Sequence, residues 1–120
     1  MRQDSILFWV FTAIMSLVFL FSATMYLTQY DMVVGFYEHL GFPTWMIYPS
    51  AIAKLLAIVA IVTNLSTLLK EWAYAGLFFD AAMAIAAHSM AGDGLEGSVM
   101  AIVALIGVMG SRIFDGRLGR

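Results

Sequence analysis

The chain reads as an all-α integral membrane protein: a four-helix bundle with a short amphipathic helix between its first and second spans. Three observations predict this. The 120 residues are 62% hydrophobic and only 12% charged, with a mean hydropathy of +0.91. A soluble chain carries about 25% charge, so the few charges here could not coat so small a domain. The apolar residues fall into four blocks close to the roughly 20 residues needed to cross a hydrocarbon core of about 30 Å. Finally, Lys and Arg are sorted onto alternate connections between the blocks.

The first block covers residues 6–27 and carries no charge. Arg2 and the small residues Ser22-Ala23-Thr24 faintly resemble a cleavable leader. The uncharged stretch exceeds the roughly 7–15 residues of a signal h-region, so a retained span is expected. The second block, 45–65, is apolar except for Lys54, and Pro49 lies near enough its start to sit in a first helical turn. The third, 70–90, contains Asp80 and His88. The fourth, 97–114, is the weakest. Its charge-free part, 97–111, is only about 22 Å long as a helix, and it becomes sufficient if Arg112 snorkels while Ile113 and Phe114 stay helical.

Residues 31–41 are too polar to cross. Met32, Val33, Phe36, Tyr37 and Leu40 recur there at helical spacing, with Asp31 placed as N-cap and Gly41 as the stop. An amphipathic helix in the interface or folded into the bundle mouth is expected. The other connections, near 66–71 and 91–96, are short and join antiparallel neighbours. Small residues are dense in the third span (Ala73, Ala75, Gly76, Ala81 and others) and recur as Gly107 and Gly110, marking expected helix contacts.

With four spans, Arg2, Lys70, Arg112, Arg117 and Arg120 share one side of the membrane, and Asp31, Glu38, His39, Asp93 and Glu96 lie on the other. Both termini are therefore expected in the cytoplasm. The net charge of −2 leaves no basic patch for nucleic acid. The absence of Cys removes disulfides, thiolate metal sites and thiol redox chemistry. Phosphate-binding glycine loops, nucleophile elbows and paired catalytic carboxylates are missing as well.

Lys54 and Asp80 stand out. Each lies about nine or ten residues from the acidic end of its span, so at 1.5 Å per residue their depths agree within a few ångströms. A lone charge at that depth costs on the order of 2.5–3.5 kcal/mol, so both are expected to face the interior and pair. The pair reads either as a salt bridge fixing helix register or as a proton relay or anchor for a lipophilic head group. His88, His39, Glu38, Asp93 and Glu96 approach one outer level, where they read as hydrated capping residues or as a group that binds a metal or handles a proton. No HxxxH or ExxH spacing marks a metal site. The aromatics, Trp9, Tyr26, Tyr30, Tyr37, Trp45, Tyr48, Trp72 and Tyr74, read mainly as interfacial anchors, and the nine Met as core filler.

The blocks Tyr37-Glu38-His39-Leu40-Gly41-Phe42-Pro43, Tyr48-Pro49 and Ala53-Lys54 resemble the DoxX-like family of small bacterial membrane proteins. So do Leu69-Lys70-Glu71-Trp72-Ala73-Tyr74-Ala75-Gly76 with Phe79-Asp80, and Ala87-His88 with Ala91-Gly92-Asp93-Gly94. The resemblance implies a four-helix bundle with an insertion after the first helix, placed in the bacterial inner membrane. Some relatives are associated with quinone-linked oxidoreductase systems, which implies a quinone-proximal role. Many members have Lys near the end of the first helix and a carboxylate in the second. Here Tyr26 takes the first place and Lys54 stands in the second helix, with Asp80 on the third.

The leading expectation is a non-catalytic protein in the lipid bilayer. It acts as a subunit of a membrane complex, a homo-oligomer or a binder of a small lipophilic molecule such as a quinone. Ligand-binding candidates are Lys54, Asp80, His88, Glu38, His39 and Tyr26. The alternative is a quinone-coupled oxidoreductase component whose electrons come from a redox partner. A small transporter or proton path is the third reading, although four helices without an internal repeat argue against it for a monomer.

Overall fold

The computed structural model describes residues 2–120, and its regular elements are helical. Five α-helices follow in order: α1 (Arg2–Thr28), α2 (Tyr30–Leu40), α3 (Ile47–Thr63), α4 (Thr67–Met90) and α5 (Gly94–Leu118), with a single 3-10 turn, Thr44–Met46, leading into α3. α1 packs on α3 and α5, and α4 packs on the same two, so the four long helices form a square with α1 opposite α4. Their directions alternate. Arg117 reaches Asp4 at 3.5 Å and Lys70 reaches Asp115 at 3.1 Å, which brings the starts of α1 and α4 to the end of α5. His39 and Asp93 meet at 2.6 Å at the other end. The long axis of 44 Å equals a bilayer with its headgroup regions, about 40–45 Å.

α1, α5 and the segment Thr44–Thr63 are each long and apolar enough to cross a membrane. α4 has the length, 24 residues, but carries Lys70, Glu71 and Asp80. Several boundaries differ from the sequence reading. Gln29, not Asp31, is the N-cap of α2, and Asp31 lies in its first turn. Gly41 does end α2, at φ 82°, with Phe42 N–H donating to the Tyr37 carbonyl. The α3–α4 connection is shorter than expected. Asn64 closes α3 in a left-handed conformation, and the Ser66 side chain caps α4 by accepting from Leu69 N–H. α5 extends to Leu118 because its terminal charges find partners in the protein.

The main core combines Met15 and Phe19 of α1, Ile61 of α3, Tyr74 and Leu77 of α4, and Ala104 and Val108 of α5. Tyr74 is thus an interior residue and not an interfacial anchor, whereas Trp45 and Trp72 are exposed as anchors should be. Met15 fills core space, but Met32, Met83, Met90, Met100 and Met109 are exposed. They lie on outward faces, where a flexible apolar side chain meets lipid as readily as protein.

α1 and α5 approach closely because α5 presents glycine. A Cβ on Gly107 would stand 2.9 Å from the Met15 backbone nitrogen, and one on Gly110 would enter the Phe11 ring. Gly76 makes no such contact, and Ala75 beside it is exposed, so the small residues there mark an open face. Gly107→Leu is expected to destabilise the bundle by about 1–3 kcal/mol through overpacking. Gly76→Ala, with open space for its Cβ in the middle of α4, should stabilise by up to about 0.5–1 kcal/mol. Reversible unfolding in mixed micelles measures both.

Candidate functional site

The buried stripe of α3, Ile47, Ala51, Lys54 and Ile61, follows helical spacing and carries Lys54 inward with it. Its ammonium donates to Ser22 Oγ at 2.9 Å and lies 4.0 Å from the centroid of the Tyr26 ring. Ser22 and Tyr26 are one turn apart on α1, so the two contacts come from one helix face. Asp80 of α4 approaches from the other side, its Oδ2 3.8 Å from Lys54 Nζ.

The two charges are not equivalent. The Lys54 side chain is 6% exposed and that of Asp80 41%, so only the lysine is enclosed as expected. The long lysine stem carries its charge into the bundle, whereas the short aspartate stem leaves its carboxylate at the α3–α4 boundary. A separation of 3.8 Å also exceeds the roughly 2.7–2.9 Å of a direct charge-assisted hydrogen bond. The pair is open.

Two cavities share this pair as a wall. An inner one of about 290 Å³ is lined also by Phe19, Ser22, Tyr26, Val33, Phe36 and His88. An outer groove of about 550 Å³ runs between α3 and α4 over Ala53, Ala57, Ala60, Leu69, Trp72 and Gly76. Tyr37 of α2 packs beside Tyr26, their rings meeting edge to face at 5.6 Å. Burial first, then the neighbouring Tyr26 hydroxyl, pushes the Tyr37 phenol above its ordinary value and keeps it protonated.

The remaining candidates gather elsewhere. Asp93, in the α4–α5 turn, accepts from His39 Nε2 through one oxygen and from His88 Nδ1 through the other, both at 2.6 Å. His88 belongs to both groups, because it also lines the inner cavity. Glu38 lines a cleft between α2 and α4 beside His39, away from Lys54. Among the described residues, no group of three or more His, Cys, Asp or Glu is arranged to hold a metal ion.

A second buried polar cluster was not anticipated. Lys70, read in the sequence only as one of the charges of the basic side, is 1% exposed. It donates to Asp115 at 3.1 Å and to the Arg120 carbonyl at 3.0 Å. Arg120 in turn bonds Asp115 and the Ile61 and Val62 carbonyls, and stacks over Phe8 at 4.3 Å. Next to it, Ser111 Oγ meets both the Tyr74 hydroxyl and Thr12 Oγ1 at 2.7 Å. The sequence held a signal for this. Lys70, Tyr74, Leu77 and Ala81 form one interior stripe of α4, as do Ala104, Val108, Ser111 and Asp115 on α5.

The hydrogen bond from His88, then that from His39, holds the Asp93 carboxyl below its ordinary value of 3.8. A carboxylate depressed in the fold contributes stability that is full above its unfolded value and disappears as pH falls through the folded one. The parent should therefore melt above Asp93→Asn at neutral pH. The difference should vanish below the carboxylate range, read as melting temperature against pH for the two proteins.

Residues 10–111 match the model of the DoxX-like family, most of the chain and all of the polar centre. Neither curated proteins nor solved structures yield a match. The family match runs from within α1 through α2, α3 and α4 into α5, and the chain belongs to the DoxX-like family.

Proposed function

We propose that this chain is a non-catalytic four-span membrane protein that holds a small lipophilic molecule, its polar head at Lys54 and Asp80 and its tail in the α3–α4 groove. The observation that carries the reading is the open pair on the wall shared by two cavities. An enclosed ammonium beside a carboxylate it does not fully engage offers a donor and an acceptor a few ångströms apart. A hydroxyl head group accepts from the ammonium and donates to the carboxylate, whereas a carbonyl accepts from the ammonium alone. The groove has the volume range of small-molecule sites, about 300–1,000 Å³, and its lining is apolar. A quinone is one member of this class.

The length of α4 and its place between α3 and α5 support a fourth crossing. Lys70, Arg112, Arg117 and Arg120 at one end support a cytoplasmic location for that end and an inner-membrane setting, since the rule counts Lys and Arg whatever acids pair with them. One observation favours a second reading, in which the groove seats a helix of a partner or of another copy: its floor of Ala53, Ala57, Ala60, Ala73 and Gly76 permits close backbone approach.

Gently extracted protein should carry an amphiphile that mass spectrometry of an organic extract identifies. Lys54→Met and Asp80→Asn should reduce its retention at least about tenfold, as loss of a charge-assisted contact implies. A parent free of any such molecule would refute the binding reading, and slow blue-native migration of that same sample would favour the second. For orientation, an impermeant maleimide should label L95C in intact spheroplasts and L118C only after lysis.

A further inference from the structure

α2 covers the inner cavity with Val33 and Phe36 and is joined to its neighbours by short links. Gln29 separates it from α1 by one residue outside helical geometry (φ −119°, ψ 47°), and Gly41 ends it at φ 82°. On one side it is fastened by an apolar cluster of its own, Val33, Tyr37 and Ile47 with Tyr26, Tyr30 and Phe42, distinct from the main core. On the other side a cleft of about 450 Å³ separates it from α4. Among the described residues, the hydrogen bond joining α2 to the α4–α5 side is His39 to Asp93.

Asp93 is held where that bond needs it. Gly92 and Gly94 flank it at φ 77° and 74°, a conformation that side chains rarely adopt. Its own N–H donates to the His88 carbonyl at 3.0 Å, turning the residue back over the end of α4. Gly97 leaves the space: a Cβ there would stand 2.7 Å from Asp93 Cβ and 3.1 Å from His88 Nδ1. Three glycines and a helix end thus aim one carboxylate between two imidazoles, one on the body of the bundle and one on α2.

From this geometry we infer that α2 is a hinged lid on the inner cavity, with the apolar cluster as its hinge side and the His39–Asp93–His88 chain as its catch. Opening swings the His39 edge away from α4 and uncovers the cavity that Lys54, Asp80 and His88 line. The catch is partly solvated, so each bond contributes modestly and the lid can open without unfolding the bundle.

Closure needs no occupant, so the test is independent of what the cavity binds. The chain has no Cys, and spin labels at G35C and L95C report the distance from α2 to α5. Gly35 and Leu95 are both exposed. One narrow distance distribution is expected for this parent. Asp93→Ala and His39→Ala should shift it to longer, broader distances and speed amide exchange over 34–40 roughly two- to fivefold. His39→Gln, whose amide nitrogen can take the place of Nε2, should keep the parent distribution. The His39 ring is half exposed, so its variants remain informative if the Asp93 variant fails to insert. Distributions unchanged in Asp93→Ala and His39→Ala, or opening in His39→Gln equal to that in His39→Ala, would overturn the lid.

Discussion

An ammonium group enclosed in a lipid-embedded bundle has to be answered by the protein around it, and that requirement at Lys54 sets how three helices are rotated about their axes. α1 must present Ser22 and Tyr26 to the same point, and α4 must bring Asp80 within reach. The answer is distributed: a hydroxyl, an aromatic face and a carboxylate each supply part of what water would. Because the carboxylate stands 3.8 Å away, beyond direct hydrogen-bond distance, and its side chain is 41% exposed, the charge is stabilised without being closed off. An unanswered lysine at this depth would cost on the order of 2.5–3.5 kcal/mol on insertion scales.

The two ends of the molecule treat charge differently. At the end holding Lys70, Asp115 and Arg120, the ions are buried and interlocked with backbone carbonyls and with the Tyr74–Ser111–Thr12 hydroxyl chain. Removing any member strands another in a place of low dielectric, so this end behaves as a rigid base. At the opposite end the His39–Asp93–His88 chain is partly solvated and spans a cleft. Between them lies the apolar core of Met15, Phe19, Leu77, Ala104 and Val108, which separates the polar centre from the basic base. The polar centre therefore opens toward the mouth and toward the α3–α4 groove.

The DoxX-like family match covers most of the bundle, α2 included, and function has to be argued from the site. The placement of lysine on α3 and carboxylate on α4 matters here because both helices border the groove. A charge on the last turn of α1, where Tyr26 stands, would face the inner cavity and leave the groove without a polar end. The position of the pair thus ties the two cavities into one candidate site.

Three helices long and apolar enough to cross, the short helix with its stop at Gly41, the meeting of Lys54 with Asp80 and the close approach at Gly107 and Gly110 were legible in the residues alone. Each follows from a local rule: hydropathy over a bilayer's thickness, helical spacing, depth counted at a fixed rise, or space that only glycine leaves. The joining of His39, His88 and Asp93 could be read only as a shared level, because which atoms face each other depends on turns that glycines bend. Lys70 escaped detection as a buried residue, since burying a charge becomes tolerable only when Asp115 and Arg120, some 45 and 50 residues later, arrive beside it. The amino-acid order determined which segments are long and apolar enough to enter lipid and which charges must find partners. Helix packing alone decided who those partners are, because an ion pair depends on distances between faces of different helices.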